Sequence, residues 1–340
     1  KALLDSQSGI RSFINNMSEN NCFNIPVCLF TWKRFDTVKR IVDVLRKVNV
    51  KKLYIFSDYG RNEEEIALVE ETRKKILEII DWDCEIIKKF PMENQGVFKQ
   101  IGLGAISVLE NEEQAIFIED DNLPNEDFFY YCEEALSKYK DEEKVYMICG
   151  TNYKSESNYD LEHDAYFVRA LLPCGWASWS HKFSKYYLQD LSPFDDKAFR
   201  KQYIKKYFSK TLGKQELDSI LAERKRFVEQ GRYISWDYHM IASVMLNDLV
   251  VLSPKVNLIR NIGIDEYSIH DAKKIGRKNP MTRRFCEVPT HDISRPIKLP
   301  DNIEINKKYQ RYCEKTITFP LSLRIKRRLV KIRNKILRKK

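Results

Sequence analysis

The 340-residue sequence lacks several features that would assign it quickly to a class of protein. It has no apolar run near the roughly 20 residues that a membrane-spanning helix needs, and residues 1–21 contain no hydrophobic signal-peptide segment. Its eight cysteines include no CxxC pair, so we expect reduced thiols in a cytosolic protein. It also lacks the GxGxxG and GxxxxGKS/T patterns, which argues against the common dinucleotide-binding and P-loop classes.

Acidic residues are missing from the end of the chain, and this absence accounts for the whole net charge. The sequence has 59 Lys and Arg against 49 Asp and Glu, which gives a formal charge of +10. No acidic residue follows Glu314, whereas ten basic residues lie between Arg324 and Lys340. The rest of the chain is therefore neutral. A neutral body does not favour a nucleic-acid-binding surface, so no nucleic-acid partner is expected.

Apolar stretches typical of strands alternate with helical spacing through the first 150 residues. The predicted strands are 25–32, 52–57, 83–90, 115–118 and 145–149. The predicted helices are 36–48, 62–80, 96–109 and 126–139, with Asp36 and Asn125 as candidate N-caps. This order predicts an α/β fold with a mostly parallel central sheet, right-handed crossovers and helices on both faces.

Three carboxylates in succession, Glu119, Asp120 and Asp121, follow the predicted strand 115–118. In an open α/β sheet, ligands bind at the carboxyl ends of the strands. Adjacent carboxylates repel one another unless a cation or a hydrogen-bond donor offsets their charge, and Mg²⁺ or Mn²⁺ prefers oxygen ligands. The alternative is a solvated acidic turn, which the triplet alone would favour.

Other polar residues follow the neighbouring predicted strands and would meet the acidic triplet at one edge of the sheet. They are Thr31 and Arg34 after the first strand, Asp58 after the second, and Gln95 and Lys99 at the third helix. Arg34 and Lys99 suit a phosphate, and Asp58 suits a ribose hydroxyl or a base N–H. Taken singly, Arg34 is typical of a surface helix start and Asp58 of a plain turn.

Taken in order, these segments resemble those of GT-A nucleotide-sugar glycosyltransferases, in particular N-acetylglucosaminyltransferase I and bacterial family-2-like sugar transferases. The resemblance covers roughly residues 25–270, through segments 26–34, 56–60, 94–96, 118–121, 127–129, 174–179, 235–238 and 257–263. It implies a Rossmann-like GT-A fold and a metal-dependent, inverting transfer from a UDP-sugar, with UDP-N-acetylglucosamine as the first donor to test. The acceptor would be a glycan or a lipid-linked sugar in bacterial surface polysaccharide synthesis.

The resemblance also implies roles for individual residues. Asp121 would bind Mn²⁺ or Mg²⁺, with His270 as a further candidate ligand. The nucleotide-sugar contacts would be Thr31, Arg34, Asp58, Gln95, Lys99, Glu119 and Asp120. The family commonly has Asn where this chain has Lys33, and the position of Lys99 differs among relatives, so both contacts stay open. A lone His at the end of a loop commonly binds nothing.

The second half of the chain would supply the catalytic base and the sugar pocket. Asp237 matches the segment that carries the base in inverting relatives, although its spacing alone is typical of a helix N-cap. The donor-sugar and acceptor pocket would comprise Gly175, Trp176, Trp179 and Trp236, because aromatic faces pack well on sugar C–H faces. Core packing is the alternative for the tryptophans.

Four regions are predicted along the chain. They are an N-terminal extension (1–22), a nucleotide-sugar-binding half (23–150), an acceptor-binding half (151–275) and a C-terminal extension (276–340). In the last region an apolar stripe repeats at spacings of four, four, three and four: Leu321, Ile325, Leu329, Ile332 and Ile336. This pattern predicts a basic amphipathic helix over residues 320–340. We expect this helix to bind peripherally to the anionic inner face of the cell membrane. An RNA-binding tail and a helix packed on the body are the alternatives.

Two other functions would use the same sheet edge. One is a non-catalytic nucleotide-sugar-binding protein, against which Asp121 and Asp237 argue because both are present. The other is a sugar nucleotidyltransferase, which would also bind a metal ion through carboxylates at this edge. That class normally has a Gly-rich loop near its N-terminus, and this sequence has none.

Overall fold

A computed structural model describes residues 22–264, 280–286 and 288–337. Its strands are β1 (Val27–Thr31), β2 (Lys52–Ser57), β3 (Glu85–Lys89), β4 (Gln114–Glu119), β5 (Asn122–Pro124), β6 (Val145–Cys149), β7 (Ala165–Val168), β8 (Trp176–Trp179), β9 (Val250–Pro254) and β10 (Ile259–Asn261). Within the described residues, eight strands form one sheet in the order β3-β2-β1-β4-β8-β6-β9-β7. The other two, β5 and β10, pair with each other in antiparallel fashion.

Helices connect the strands. They are α1 (Phe35–Val48), α2 (Glu63–Ile79), α3 (Gly104–Leu109), α4 (Asp127–Lys138), α5 (Ser180–Tyr186), α6 (Lys197–Lys205), α7 (Lys210–Gln230), α8 (Asp237–Leu246), α9 (Pro280–Phe285), α10 (Lys307–Ile317) and α11 (Leu321–Leu337). A π-helical turn, Phe98–Leu103, leads into α3, and a 3₁₀ turn, Ser192–Asp195, precedes α6. None of the helices in the described part of the chain is long and apolar enough to cross a membrane.

The sheet confirms the predicted Rossmann-like α/β class. It differs from the prediction in which strand lies next to β4. Strands β3, β2, β1 and β4 run parallel, as the alternating pattern predicts. The fifth predicted strand, β6, does not pair with β4, because β8 lies between them and is antiparallel to both. Hydrophobic periodicity identifies a strand but not its neighbour, so the sequence pattern contained no signal for this insertion.

Helices cover both faces of the sheet, as predicted, and each face has its own apolar core. Successive side chains of β1 alternate between them: Cys28 and Phe30 face one core, and Val27 and Leu29 face the other. All five residues of β1 are buried. A strand buried on both faces needs a continuous apolar run, and this requirement explains the lack of polar alternation in the first predicted strand.

The predicted helix starts differ in accuracy. Asp36 is not an N-cap, because α1 begins one residue before it and places Asp36 in the first turn. Asn125 lies one residue before the N-cap of α4, which is Glu126, although its Oδ1 accepts a hydrogen bond from Phe128 N at 3.1 Å. Inside the third predicted helix, Gly102 packs against Tyr187: a Cβ on this glycine would lie 2.3 Å from the Tyr187 hydroxyl. The glycine therefore permits a close contact between the π-helical turn and α5.

Strands from both predicted halves share the central sheet, since β7, β8 and β9 all follow residue 150. Part of the predicted C-terminal extension also belongs to the body. Tyr309 and Cys313 of α10 are fully buried, and Asn306 N donates to Phe167 O at 2.9 Å. The body therefore continues as far as α10, and the predicted boundaries at 150 and 275 stay predictions.

Candidate functional site

Arg34 and two carboxylates of the acidic triplet lie together where β1 and β4 end. These strands are parallel neighbours, so the residues after them emerge at one edge of the sheet. Arg34 Nη1 is 3.1 Å from Asp120 Oδ1 and 3.2 Å from Asp121 Oδ2. The backbone N–H of Trp32 also donates to Asp120 Oδ2, at 3.2 Å. The side chains of Arg34 and Asp120 are only 12% and 13% exposed, so water screens this pair weakly.

Negative charge exceeds positive charge around Arg34. Burial raises the pKa of Glu119 well above its usual range, and the charges of Asp121, Asp120 and Asp237 add to that rise. Burial also raises the pKa of Asp120, to about 7, although Arg34 opposes the change. The pKa of Asp237 is raised by burial and lowered in part by backbone N–H groups at the start of α8. Asp120, Asp121 and Asp237 thus all raise the pKa of Glu119, and a bound cation would stabilise the charged forms of these carboxylates.

Asp121 is held between the β5–β10 pair and Arg34. Ile262 N donates to the backbone oxygen of Asp121 at 2.8 Å, which ties the residues after β10 to the acidic triplet. Gly263 packs directly on the carboxylate, because a Cβ there would lie 2.3 Å from Asp121 Oδ2. The Asp121 side chain keeps 23% of its surface exposed, which leaves it open to a ligand.

Asp58 is occupied by the protein's own hydrogen-bond donors. Its Oδ1 accepts from Tyr59 N and Gln95 N at 2.9 and 2.8 Å, and its Oδ2 accepts from Gly96 N and Asn94 Nδ2 at 2.9 and 3.0 Å. Gly96 has φ +77, a conformation that glycine adopts without strain. Asp58 therefore organises the loop 94–96, and a direct nucleotide contact by its carboxylate stays a proposal.

The other predicted nucleotide contacts lie near this loop or beneath it. Thr31 is buried beneath Asp58, whose backbone N–H donates to Thr31 O at 3.2 Å. Gln95 and the exposed Lys99 line a cavity of about 540 Å³ beside β3, together with Lys89 and Phe90. The cavity has basic and aromatic walls, which suit a planar or anionic group.

Lys33, where relatives commonly have Asn, faces the start of α2. Its Nζ lies 2.9 Å from Glu65 Oε1 and 4.0 Å from the ring centroid of Trp32. Arg61 covers the same ring, at 4.7 Å, and hydrogen bonds to Glu65. The hydrogen bonds from Arg61 and then Lys33 lower the pKa of Glu65. These contacts fix the segment between Thr31 and Arg34.

Trp176 and Trp179 are core residues in this structure. They are 1% and 0% exposed, and the indole N–H of Trp179 donates to Leu136 O at 3.1 Å. The core-packing alternative therefore describes both side chains, because neither has surface to offer a sugar. Trp176 stacks between Phe117 and Trp236, with ring centroids 4.2 and 5.7 Å away. This stack links β4 to the residue that precedes Asp237, so it positions α8 against the acidic triplet.

Gly175 joins β8 to the β5–β10 pair. It has φ +62, and a Cβ there would lie within 2.7 Å of the Ile259 side chain. Its carbonyl accepts a hydrogen bond from Gly150 N at 2.9 Å. Its neighbour Cys174 lies beside the carboxylates: burial raises the pKa of this thiol, and the charges of Asp121 and Glu119 raise it further. Gly175 thus connects β8 to the β5–β10 pair beside the acidic residues.

The predicted metal site can be compared with the side chains that the structure brings together. In the described ranges, no group of three or more His, Cys, Asp or Glu side chains is placed to hold a metal ion. His270 lies outside the described residues. Mg²⁺ commonly binds through one or two carboxylates plus the phosphates of a substrate, not through a complete protein cage. Asp120 and Asp121 fit that kind of partial site.

The comparisons with known proteins assign no family. No family model matches the chain, and no curated protein matches it. Among solved structures it is similar to a UDP-glucose pyrophosphorylase complexed with UDP-glucose, at 12% identity and TM-score 0.36, over 75% of this chain and 100% of that one. It is also similar to 4-diphosphocytidyl-2C-methyl-D-erythritol synthase from Anaerococcus prevotii, at 9% identity and TM-score 0.35, over 75% and 98% of the two chains. Scores this low support no argument about function.

Sequence reasoning missed two contacts at the acidic triplet. It gave no role to the backbone N–H of Trp32, which no side-chain pattern can reveal. It also did not place Gly263 against Asp121, although the segment 257–263 was one of the matched segments. The glycine in that segment was a usable signal, since a glycine beside a functional residue often permits close approach.

We predict that Gly263→Ala will weaken metal-dependent nucleotide binding while the protein stays folded. The added Cβ would displace the Asp121 carboxylate from Arg34. Shifting a ligand in this way typically lowers metal affinity by about 10- to 100-fold. Isothermal titration calorimetry with Mn²⁺ and UDP measures the change in affinity. Leu161→Ala is the control, because this leucine is 83% exposed on the body. Equal affinity in wild type and Gly263→Ala would contradict this geometry.

We also predict a pH-dependent difference in stability between wild type and Asp120→Asn. The pKa of Asp120 is about 7 in the folded protein and about 3.9 when unfolded, so the folded state keeps a proton that the unfolded state loses. Wild type should therefore lose stability relative to the variant as the pH rises from about 4 to about 7. Urea unfolding at several pH values measures this difference. A constant difference over that range would rule out the raised pKa.

Proposed function

We propose that the chain is a metal-dependent glycosyltransferase of the GT-A type. It moves a sugar from a UDP-sugar to a glycan or lipid-linked acceptor in bacterial surface polysaccharide synthesis. One observation carries the proposal: Arg34 lies within 3.2 Å of both Asp120 and Asp121 at the ends of two parallel strands. Asp237, from the other half of the chain, is near enough for its charge to raise the pKa of Glu119.

Asp121 would hold Mn²⁺ or Mg²⁺ with Asp120 beside it, because hard cations prefer carboxylate oxygens. The metal would neutralise charge on the leaving diphosphate. Arg34 lies beside the same carboxylates and would donate to a phosphate oxygen of the donor, for which the guanidinium group is well suited. The excess of negative charge at this edge supports a cation-dependent function.

Asp237 would act as the general base. It would accept the proton of the acceptor hydroxyl as that oxygen attacks the anomeric carbon, which inverts the configuration. A carboxylate with a raised pKa is a better base near neutral pH than an ordinary one. Asp237 is not the N-cap that its spacing suggests, because Trp236 is the N-cap of α8 and Asp237 lies in the first turn.

Each of the two predicted halves would bind a different substrate. Residues 23–150 supply Arg34 and the acidic triplet, so they would bind the nucleotide sugar. Residues 151–275 supply Asp237, so they would bind the acceptor. The cavity beside Gln95 and Lys99 would receive part of the nucleotide. The donor would be used in the cytosol, where the expected reduced cysteines also belong.

Product analysis tests the function directly. UDP-sugars and GDP-sugars are screened for Mn²⁺-dependent thermal stabilisation, since a ligand that binds only the folded state raises the melting temperature. Each ligand that stabilises the protein is then assayed for release of UDP or GDP. Release of pyrophosphate from UTP and a sugar phosphate would instead identify a nucleotidyltransferase. Stabilisation without any turnover would identify a binding protein.

We predict that Asp121→Asn will abolish turnover and the Mn²⁺ dependence of UDP binding. The amide keeps the size of the side chain but removes the charge that would bind the cation. The folded state should not lose stability, because the change also relieves carboxylate repulsion. Asp83→Asn is the matched control on a side chain that is 95% exposed. Full activity of Asp121→Asn, or of wild type in excess EDTA, would refute the metal assignment.

We predict that Asp237→Asn will lower kcat by about 100-fold or more while donor affinity stays nearly unchanged. Asparagine can still accept a hydrogen bond at the start of α8, but it cannot accept a proton at neutral pH. Steady-state kinetics and UDP titration separate the two effects. A fall in donor affinity with unchanged kcat would make Asp237 a donor contact instead of a base.

A further inference from the structure

Helix α11 presents apolar side chains to solvent. Leu321, Ile325 and Leu329 are 63%, 49% and 61% exposed, and their spacing of four places them on one face of the helix. Every residue from 325 to 330 is exposed. The described part of the chain therefore does not cover this face, and a helix packed on the body is not what the structure shows.

The beginning of α11 is nevertheless fixed to the body. Gln215 of α7 accepts a hydrogen bond from Phe319 N at 2.7 Å and donates one to Ile317 O at 3.2 Å. Arg284 donates to Thr318 O at 2.9 Å. The guanidinium of Arg327 lies 4.4 Å from the ring centroid of Phe319. These contacts hold the connection between α10 and α11, so the exposed stripe extends from an ordered support.

The charge of α11 has one sign. Arg324, Lys326, Arg327 and Arg328 surround the exposed stripe, and no acidic residue follows Glu314 in the sequence. The rest of the chain has equal numbers of basic and acidic residues, so the net positive charge is concentrated at this end. An anionic surface with an apolar layer beneath it would complement both the charge and the stripe.

We propose that α11 binds the surface of an anionic lipid bilayer, with Leu321, Ile325 and Leu329 entering the interface. The helix would lie parallel to the membrane plane. Its basic side chains would reach the headgroups while their apolar stems cover the interface. The exposed stripe and the single sign of charge carry this inference, which does not depend on any catalytic activity.

The position of α11 adds a consequence for the acceptor, and this step rests on the function proposed above. Helix α11 begins beside Gln215 of α7, since Phe319 N donates to Gln215 Oε1 at 2.7 Å. Helix α7 in turn packs against α8, whose first residue is Asp237. A membrane that binds α11 would lie close to the proposed base, where a lipid-linked acceptor could reach it.

Vesicle co-sedimentation of the full chain tests the membrane inference. One set of vesicles contains phosphatidylglycerol and phosphatidylcholine, and the other contains phosphatidylcholine alone. We expect binding to the anionic set and weaker binding as salt rises. Ile325→Glu/Leu329→Glu and Lys326→Glu/Arg328→Glu should each weaken binding about tenfold or more. Leu161→Glu is the matched control, because this leucine is 83% exposed on the body. It should bind like wild type.

Several results would overturn the inference. They are absence of binding to anionic vesicles, equal loss in Leu161→Glu, and binding to RNA without binding to vesicles. A dimer that Ile325→Glu/Leu329→Glu dissociates, with no vesicle binding, would show that the stripe contacts a second copy instead. Equal melting temperatures of all variants confirm that they fold. Mn²⁺-dependent UDP binding is measured separately: if it fails while vesicle binding persists, the proposed function is wrong and the membrane inference stands.

Discussion

The site depends on how one guanidinium balances a group of carboxylates. Arg34 contacts Asp120 and Asp121, and its charge opposes only in part the effect of Asp121, Asp120 and Asp237 on Glu119. Such a group is stable in a folded protein only if protons, donors or a cation reduce its repulsion. Burial raises the pKa of Glu119 and Asp120, which favours their protonated forms. A cation bound at this edge would favour the charged forms instead.

The mixed sheet explains how residues far apart in sequence reach this edge. Strand β8 enters between β4 and β6, and it carries Trp176 onto Phe117. The same ring stacks on Trp236, directly before α8. Because these rings are buried and packed face to face, α8 begins at a fixed position relative to β4. Core packing, and not a flexible loop, therefore fixes where Asp237 begins α8.

Much of the first half of the fold could be predicted from sequence, because each strand there is a short apolar run and each helix has clear spacing. Both 52–57 and 145–149 match observed strands in full. The convergence of Arg34 with Asp120 and Asp121 also followed from strand order alone. The place of β8 could not be predicted, since pairing between distant strands leaves no local pattern. Nor could the burial of Trp176 and Trp179, because an aromatic residue suits a core and a sugar pocket equally well.

The hydrogen bonds of Asp58 have a consequence for molecular recognition. Because the carboxylate is occupied by Tyr59, Gln95 and Gly96, the loop 94–96 is ordered before any ligand arrives. The conformational entropy of that loop is lost on folding and not on binding, which favours tight and fast capture of a ligand that fits. Because the loop is already ordered, it cannot adapt to a ligand whose shape fits poorly. Selectivity at this position would then reside in backbone shape, and exchanging surface side chains nearby would change affinity more readily than it would change the choice of ligand.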